Sequence, residues 1–202
     1  MRRASEPRTA MRAFVFKHRG ALLVPVALAL VIFGSPSIAS ATVGLVVAAL
    51  GEALRVWAVG YSGLTTRADV VTAPALVTAG PYAIVRNPLY LANTIIALGF
   101  WLAFVGRASP LAAAALLAFV LVLVVGVYAS IVPLEEAYLA QAFGAPFQRY
   151  LQRVPRAIPN GRMLPKGERS GAWRAEVIVR AEIITIAFFA MMLAAVILRL
   201  IY

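Results

Sequence analysis

The sequence predicts an all-α fold, a polytopic membrane bundle of about five transmembrane helices with its longer loops on the cytoplasmic side, and three observations lead there. Hydrophobic residues make up 62% of the 202-residue chain and charged residues 13%, and mean hydropathy is +0.88, so there is too little polar side chain to coat a soluble globule of this size. The apolar residues collect in runs approaching the ~20 residues that a helix needs to cross a bilayer. The 19 Lys and Arg, against 8 Asp and Glu, lie mainly between those runs. That is the topological signal of a membrane protein, so the expected partner is the lipid bilayer and no nucleic acid.

Residues 1–19 form a basic arm with Arg2, Arg3, Arg8, Arg12, Lys17 and Arg19. The first apolar run, Gly20 to Phe33, is short, and Ala39-Ser40-Ala41 beyond it resembles a signal cleavage site. The basic region is long for a signal and further apolar runs follow, which favours a retained helix. Gly34-Ser35-Pro36-Ser37 predicts a turn tight enough to fold this helix into a hairpin with the second run, Ile38 to Tyr61. Inside that span Glu52 and Arg55 share a helical face, as a structural pair or as part of a site. The remaining runs are Leu89 to Val105, Pro110 to Val132 and Val177 to Ile201. In the last of them snorkelling accounts for Arg180 and Glu182.

Orientation follows from the basic residues. The arm and the segment from Pro133 to Glu176, with Arg149, Arg153, Arg156, Arg162, Lys166, Arg169 and Arg174, are expected on the cytoplasmic side, while the turns near Gly34 and Gly106 face outward. Five spans then leave the C-terminus outside. No linker divides the chain, so residues 1–202 read as a single membrane domain, and the Ala-, Val- and Arg-heavy composition points to a prokaryotic inner membrane. The chain has no cysteine, which excludes disulfides, thiolate zinc sites and cysteine nucleophiles. Its one histidine, His18, sits in the basic arm, so neither a histidine base nor a metal is expected at the site.

Two cytoplasmic segments are too rich in special residues to be connectors alone. Ser62 to Pro88 contains Thr65-Thr66-Arg67, Gly80-Pro81-Tyr82 and Arg86-Asn87-Pro88; Pro133 to Pro159 contains Glu135-Glu136, Phe143-Gly144, Tyr150 and Val154-Pro155-Arg156. Packed together at the membrane face they would form a pocket of loop backbone, aromatics and paired charges. Asn87 suits the N-cap of the third span and Pro88 its first turn, whereas Arg86 exceeds what a cap requires and is suited to hold a carboxylate. Tyr82 and Tyr90 read equally as site residues and as interfacial belt aromatics. Glu135 and Glu136 read as a charge pair marking a helix end or as an anchor for a cationic ligand.

In this order the features resemble the membrane methyltransferase superfamily that includes isoprenylcysteine carboxyl methyltransferases and phospholipid N-methyltransferases. Its blocks read here Gly80-Pro81-Tyr82, Arg86-Asn87-Pro88-Leu89-Tyr90, Glu135-Glu136-Ala137-Tyr138-Leu139, Phe143-Gly144 through Tyr150, and Arg153-Val154-Pro155. The likeness covers about half the chain. It implies a cytoplasm-facing pocket for S-adenosyl-L-methionine, with a hydrophobic or lipid-linked acceptor entering from the bilayer. By the same resemblance Arg86, Asn87 and Tyr90 are the catalytic candidates, and Gly80, Tyr82, Pro88, Glu135, Glu136 and Tyr150 the cofactor-binding ones. Asn87 stands where the family usually has histidine and Phe147 where it often has tyrosine; an asparagine hydrogen-bonds but accepts no proton. The competing readings are an NADPH-dependent sterol-type reductase, against which the acids at Glu135-Glu136 argue, and a non-catalytic protein of the same fold.

Overall fold

The computed structural model describes residues 6–63 and 71–202, with side chains from residue 11 onward. Arg2, Arg3 and Thr65-Thr66-Arg67 lie outside the described residues, as does the side chain of Arg8. Seven α-helices follow in chain order: α1 Glu6–Lys17, α2 Val24–Phe33, α3 Ile38–Ser62, α4 Pro88–Phe104, α5 Pro110–Phe143, α6 Ala145–Arg153 and α7 Glu176–Ile201, with no strand among the described residues. The chain is an all-α membrane helix bundle.

All five apolar runs are helical, but among the described residues only α3, α5 and α7 are long and apolar enough to cross a membrane. A fourth span exists if α2 is counted with the end of α1, across a bend of 83°. The expectation of about five spans is therefore not met on length. With 17 residues α4 extends about 25 Å at 1.5 Å per residue, short of a hydrocarbon core of about 30 Å.

The tightest helix pair is α3 with α4, not a hairpin of α2 with α3. Along α3 the small residues Gly44, Ala48 and Gly51 form a stripe, and α4 meets it antiparallel with Ala103, Gly99 and Ala92. A Cβ on Gly44 would run into the backbone of Ala103, and one on Gly99 into that of Ala48. Without a hydrophobic driving force in lipid, such close backbone approach is what makes two helices adhere. The Gly34–Ser37 link fails to make a hairpin because it is extended and sewn to the far end of α4. The Ser35 amide donates to Phe104 O at 2.6 Å and the Arg107 amide to Ser35 O at 2.8 Å, while Ser37 and Ser40 form a capping box that starts α3. Helix α2 packs instead on α4, α5 and α7.

Two charged residues prove to be partners across the bundle. Arg55 is turned to α7, where its Nε donates to Glu182 Oε2 at 2.7 Å and Nη2 to Oε1 at 3.0 Å, and Nη1 donates to Asn93 Oδ1 at 2.7 Å. Glu182 is completely buried, so it does not snorkel; only Arg180 is exposed. The pairing is bidentate, the geometry in which a guanidinium and a carboxylate best offset their lost hydration.

The fourth span also runs further than its sequence suggested. Pro133 lies inside α5, which continues to Phe143, so Glu135 and Glu136 occupy a helix and not the start of a loop. A proline removes one backbone hydrogen bond, and the good helix formers from Leu134 to Ala140 carry the helix past it. Gly144, at φ 53°, ends it. Amphipathic α6 then buries Phe147 and Tyr150, which with Ala83, Val154 and Leu164 form a second small core apart from that of the bundle.

Replacing Gly99 by valine should separate α3 from α4 and destabilise the bundle by about 1–3 kcal/mol, the usual range for overpacking. Gly126→Ala, at a helical position with nothing within 4 Å of the new carbon, should leave stability unchanged or slightly improved. Thermal unfolding of the detergent-purified protein separates the two; equal midpoints would contradict the packing described.

Candidate active site

Three segments outside the spans have no sheet in which to satisfy their backbone groups, and they satisfy them on one another. The Thr78 and Ala79 amides both donate to Ser170 O, at 2.9 and 3.0 Å, and the Leu164 amide donates to Ala83 O at 2.9 Å. The Arg86 amide donates to Pro155 O at 2.8 Å and the Asn87 amide to Arg156 O at 3.2 Å. The stretch before α4 and the stretch after α6 thereby form one layer over the end of the bundle. Gly80 is required at the fold of this layer: its φ of 60° is left-handed, and a Cβ there would enter the Tyr61 ring.

Arg86 joins three parts of the layer. Its Nε and Nη2 each lie 3.1 Å from Glu136 Oε1, and Nη1 donates to Leu151 O at 2.8 Å and Val154 O at 2.9 Å. Arg156 reaches the same carboxylate, with Nε 3.2 Å from Oε1 and Nη2 2.5 Å from Oε2. Glu136 thus receives two guanidinium groups. Asn87 does not act as a side-chain cap: its Nδ2 turns away from α4 and donates to Arg156 O at 3.0 Å. The free backbone carbonyl of Arg156 takes both Asn87 donors, which explains why the amide leaves the cap.

Beneath the layer lies a cavity of about 440 Å³. Of the residues singled out from the sequence, Tyr82, Arg86, Asn87 and Pro88 line it from the α4 side, and Tyr90, Glu135 and Tyr150 line it too. Gly80 and Glu136 do not; one shapes the loop and the other is turned to the arginines. Tyr90 donates to Glu135 Oε1 at 2.6 Å, and its ring packs against Tyr128 at 4.5 Å between centroids. Tyr150 donates to Tyr82 O at 2.7 Å. Burial holds the Tyr82 and Tyr150 hydroxyls well above the ordinary tyrosine value of 10.0, so both remain neutral hydrogen-bond donors.

Other lining residues carry no signal in the sequence. Phe16, from the end of the basic arm, closes one side; its ring lies 4.3 Å from the Arg19 guanidinium. Val71 to Val77 form an apolar wall, and Gly171, Ala172 and Arg174 lie at the mouth. Only the juxtaposition of Trp173 and Arg174 just before an apolar span hints at the last of these.

Residues 39–146 match the model of a family described as phospholipid methyltransferase. Over 119 residues the chain is 32% identical to the cobalt-zinc-cadmium resistance protein CzcN of Cupriavidus metallidurans, covering 58% of this chain and 48% of that protein. Over 120 residues it is 34% identical to protein-S-isoprenylcysteine O-methyltransferase B of Arabidopsis thaliana, covering 57% of each. The chain thus spans about half the length of the curated relatives it matches. No solved structure matches it.

Glu136→Ala should strand two arginines and loosen the layer, at a cost of about 1.5–3 kcal/mol for lost hydrogen bonds to charge. Limited proteolysis should then cut between residues 154 and 176 far faster than in the parent; an unchanged cleavage rate would show that the carboxylate does not hold the layer. A spectrophotometric titration tests the tyrosines. The raised values of Tyr82 and Tyr150 mean that stability is fully present below about pH 10 and is lost as pH climbs from there toward their folded values. Tyr82 and Tyr150 should therefore ionise only as the protein unfolds, and Tyr150→Phe should shrink that late step.

Proposed function

The chain belongs to the phospholipid methyltransferase family, and on that premise we propose that it transfers a methyl group from S-adenosyl-L-methionine to the carboxylate or amine of a lipidic or hydrophobic acceptor. The proposal sets the reaction at the cytoplasmic face of a prokaryotic inner membrane, with the N-terminus cytoplasmic, in keeping with the distribution of basic residues. The observation that carries it is the cavity in which Tyr90 and Glu135, 45 residues apart in sequence, share a hydrogen bond among aromatic and apolar walls.

The residues fit the methyl donor. A volume of about 440 Å³ lies within the ~300–1,000 Å³ usual for small-molecule sites. Glu135 would take the ammonium or ribose hydroxyls by charge-assisted hydrogen bonds, and the rings of Tyr82, Tyr90 and Phe16 suit a cationic, partly aromatic ligand. The donor supplies a methyl group already activated by a sulfonium. The protein's task is then alignment and exclusion of water, to which the buried layer and the Val71 to Val77 wall contribute.

Proton handling follows from the donors already committed. Asn87 accepts no proton, and its Nδ2 is bound to Arg156 O. Tyr82 and Tyr150, held neutral by burial, act as donors and not as bases. Among the described residues lining the cavity Glu135 is the one carboxylate, so an amine acceptor passes its proton there and a carboxylate acceptor needs no base. Arg86 acts through position, with its N–H groups fixed to Glu136 and two carbonyls.

Calorimetry of the purified protein with S-adenosylmethionine, S-adenosylhomocysteine and NADPH tests the reading. The first two should bind, and Glu135→Gln should weaken both by about tenfold, or 1.4 kcal/mol. Binding of NADPH alone would replace the proposal with the sterol-type reductase.

A further inference from the structure

We infer that Arg174 is the anion-binding residue of the cavity and takes the carboxylate or phosphate group of its ligand. This rests on the reading of the cavity as the site of a methyl donor and a lipid acceptor. Two arginines line the cavity. The N–H groups of Arg86 are committed to Glu136, Leu151 O and Val154 O, and its side chain is only 13% exposed. Arg174 is exposed at the mouth, and its guanidinium makes no hydrogen bond or ion pair among the described residues. Among the described residues that line the cavity, its positive charge is the one left for a ligand.

The position of this guanidinium is built. The Arg174 amide donates to Gly60 O at 2.9 Å, fixing the backbone on the end of α3. The Trp173 indole lies against Gly60, in the space any Cβ would fill. One turn on, a Cβ at Gly63 would lie 2.9 Å from Arg174 Nη2, and the φ of 72° there is itself left-handed. Two glycines at the end of one helix thus make room for residues 173 and 174. Gly171 and Ala172, which carry no bulky side chains, line the cavity beside Arg174.

Among the described residues the cavity consequently carries one carboxylate, Glu135, and one available cation, Arg174. A ligand with both charges or with an anionic group alone is complementary to that arrangement, and a guanidinium fits the two oxygens of a carboxylate or phosphate in a bidentate manner. Two sources supply this chemistry: the α-carboxylate of the methyl donor and the phosphodiester of a phospholipid acceptor. The competing account is a cation that merely complements the carbonyl end of α3.

The full chain in detergent, as parent, Arg174→Gln and Arg174→Lys, should be titrated with S-adenosylhomocysteine, its decarboxylated analogue and dihexanoyl phosphatidylethanolamine, with thermal midpoints recorded in parallel. If the donor carboxylate is the partner, Arg174→Gln weakens S-adenosylhomocysteine at least tenfold and leaves the decarboxylated analogue unchanged. If the phosphodiester is the partner, the same variant weakens the phospholipid at least tenfold and spares the nucleoside. In either case Arg174→Lys recovers part of the loss. Unchanged affinity for both ligands in Arg174→Gln, with or without a lowered midpoint, overturns the assignment, as does a parent that binds neither. A parent that binds phospholipid through Arg174 but no nucleoside sinks the methyltransferase reading and leaves the anion site standing.

Discussion

Arg86 lies where the two halves of the loop layer meet, and its guanidinium touches α5 through Glu136, the last turn of α6 through Leu151 and the strand-like stretch beyond it through Val154. Its own amide is bound to Pro155 O. Few other side chains could span these segments, because the task needs several donors in a plane and a charge to match a carboxylate. Once Arg86 is seated, Asn87 must face Arg156 O, Pro88 begins α4, and Tyr90 falls one turn below, against Glu135. The cavity is a consequence of this one placement.

The bundle supplies the foundation by a different principle. Inside lipid the apolar effect does not sort helices against each other, so close approach and satisfied polar groups must do so. Gly44, Ala48 and Gly51 against Ala92, Gly99 and Ala103 provide the approach, and Arg55 with Glu182 and Asn93 provides the polar tie to α7. The matched family segment ends at residue 146, yet Glu182 and the layer from Val154 to Arg174 lie beyond it. The residues after the matched segment are therefore integral to the bundle and to the cavity mouth.

Much of the site was legible because its chemistry is concentrated in short blocks. Gly80-Pro81-Tyr82 and Arg86-Asn87-Pro88 combine residue types that a simple connector does not need, and Glu135-Glu136 is conspicuous at the end of an apolar run. Which glutamate faces the cavity was not legible: the two are neighbours in sequence and point about 100° apart on a helix, so a continued α5 separates their fates. The cap proposed for Asn87 was likewise a local inference, overruled by a carbonyl 69 residues away. Phe16 left no trace and Arg174 only the hint of a Trp-Arg pair before a span, since an aromatic in a basic arm and an arginine before a span are both ordinary.

Composition and hydropathy determined by themselves that this chain is an α-helical membrane bundle, because a bilayer admits only helices or closed barrels and the apolar runs have helix length. Local sequence also marks where three of the seven described helices begin, through Ser37, Pro88 and Ser109-Pro110. Tertiary structure alone decided the pairings: α3 with α4 and not with α2, Arg55 with Glu182 and not with Glu52's face, Glu136 with two arginines and Glu135 with the cavity. Helical periodicity is a local property fixed by neighbours three and four residues away. The choice among distant partners depends on which backbones can approach and which buried charges must be matched, and only the folded chain settles those together.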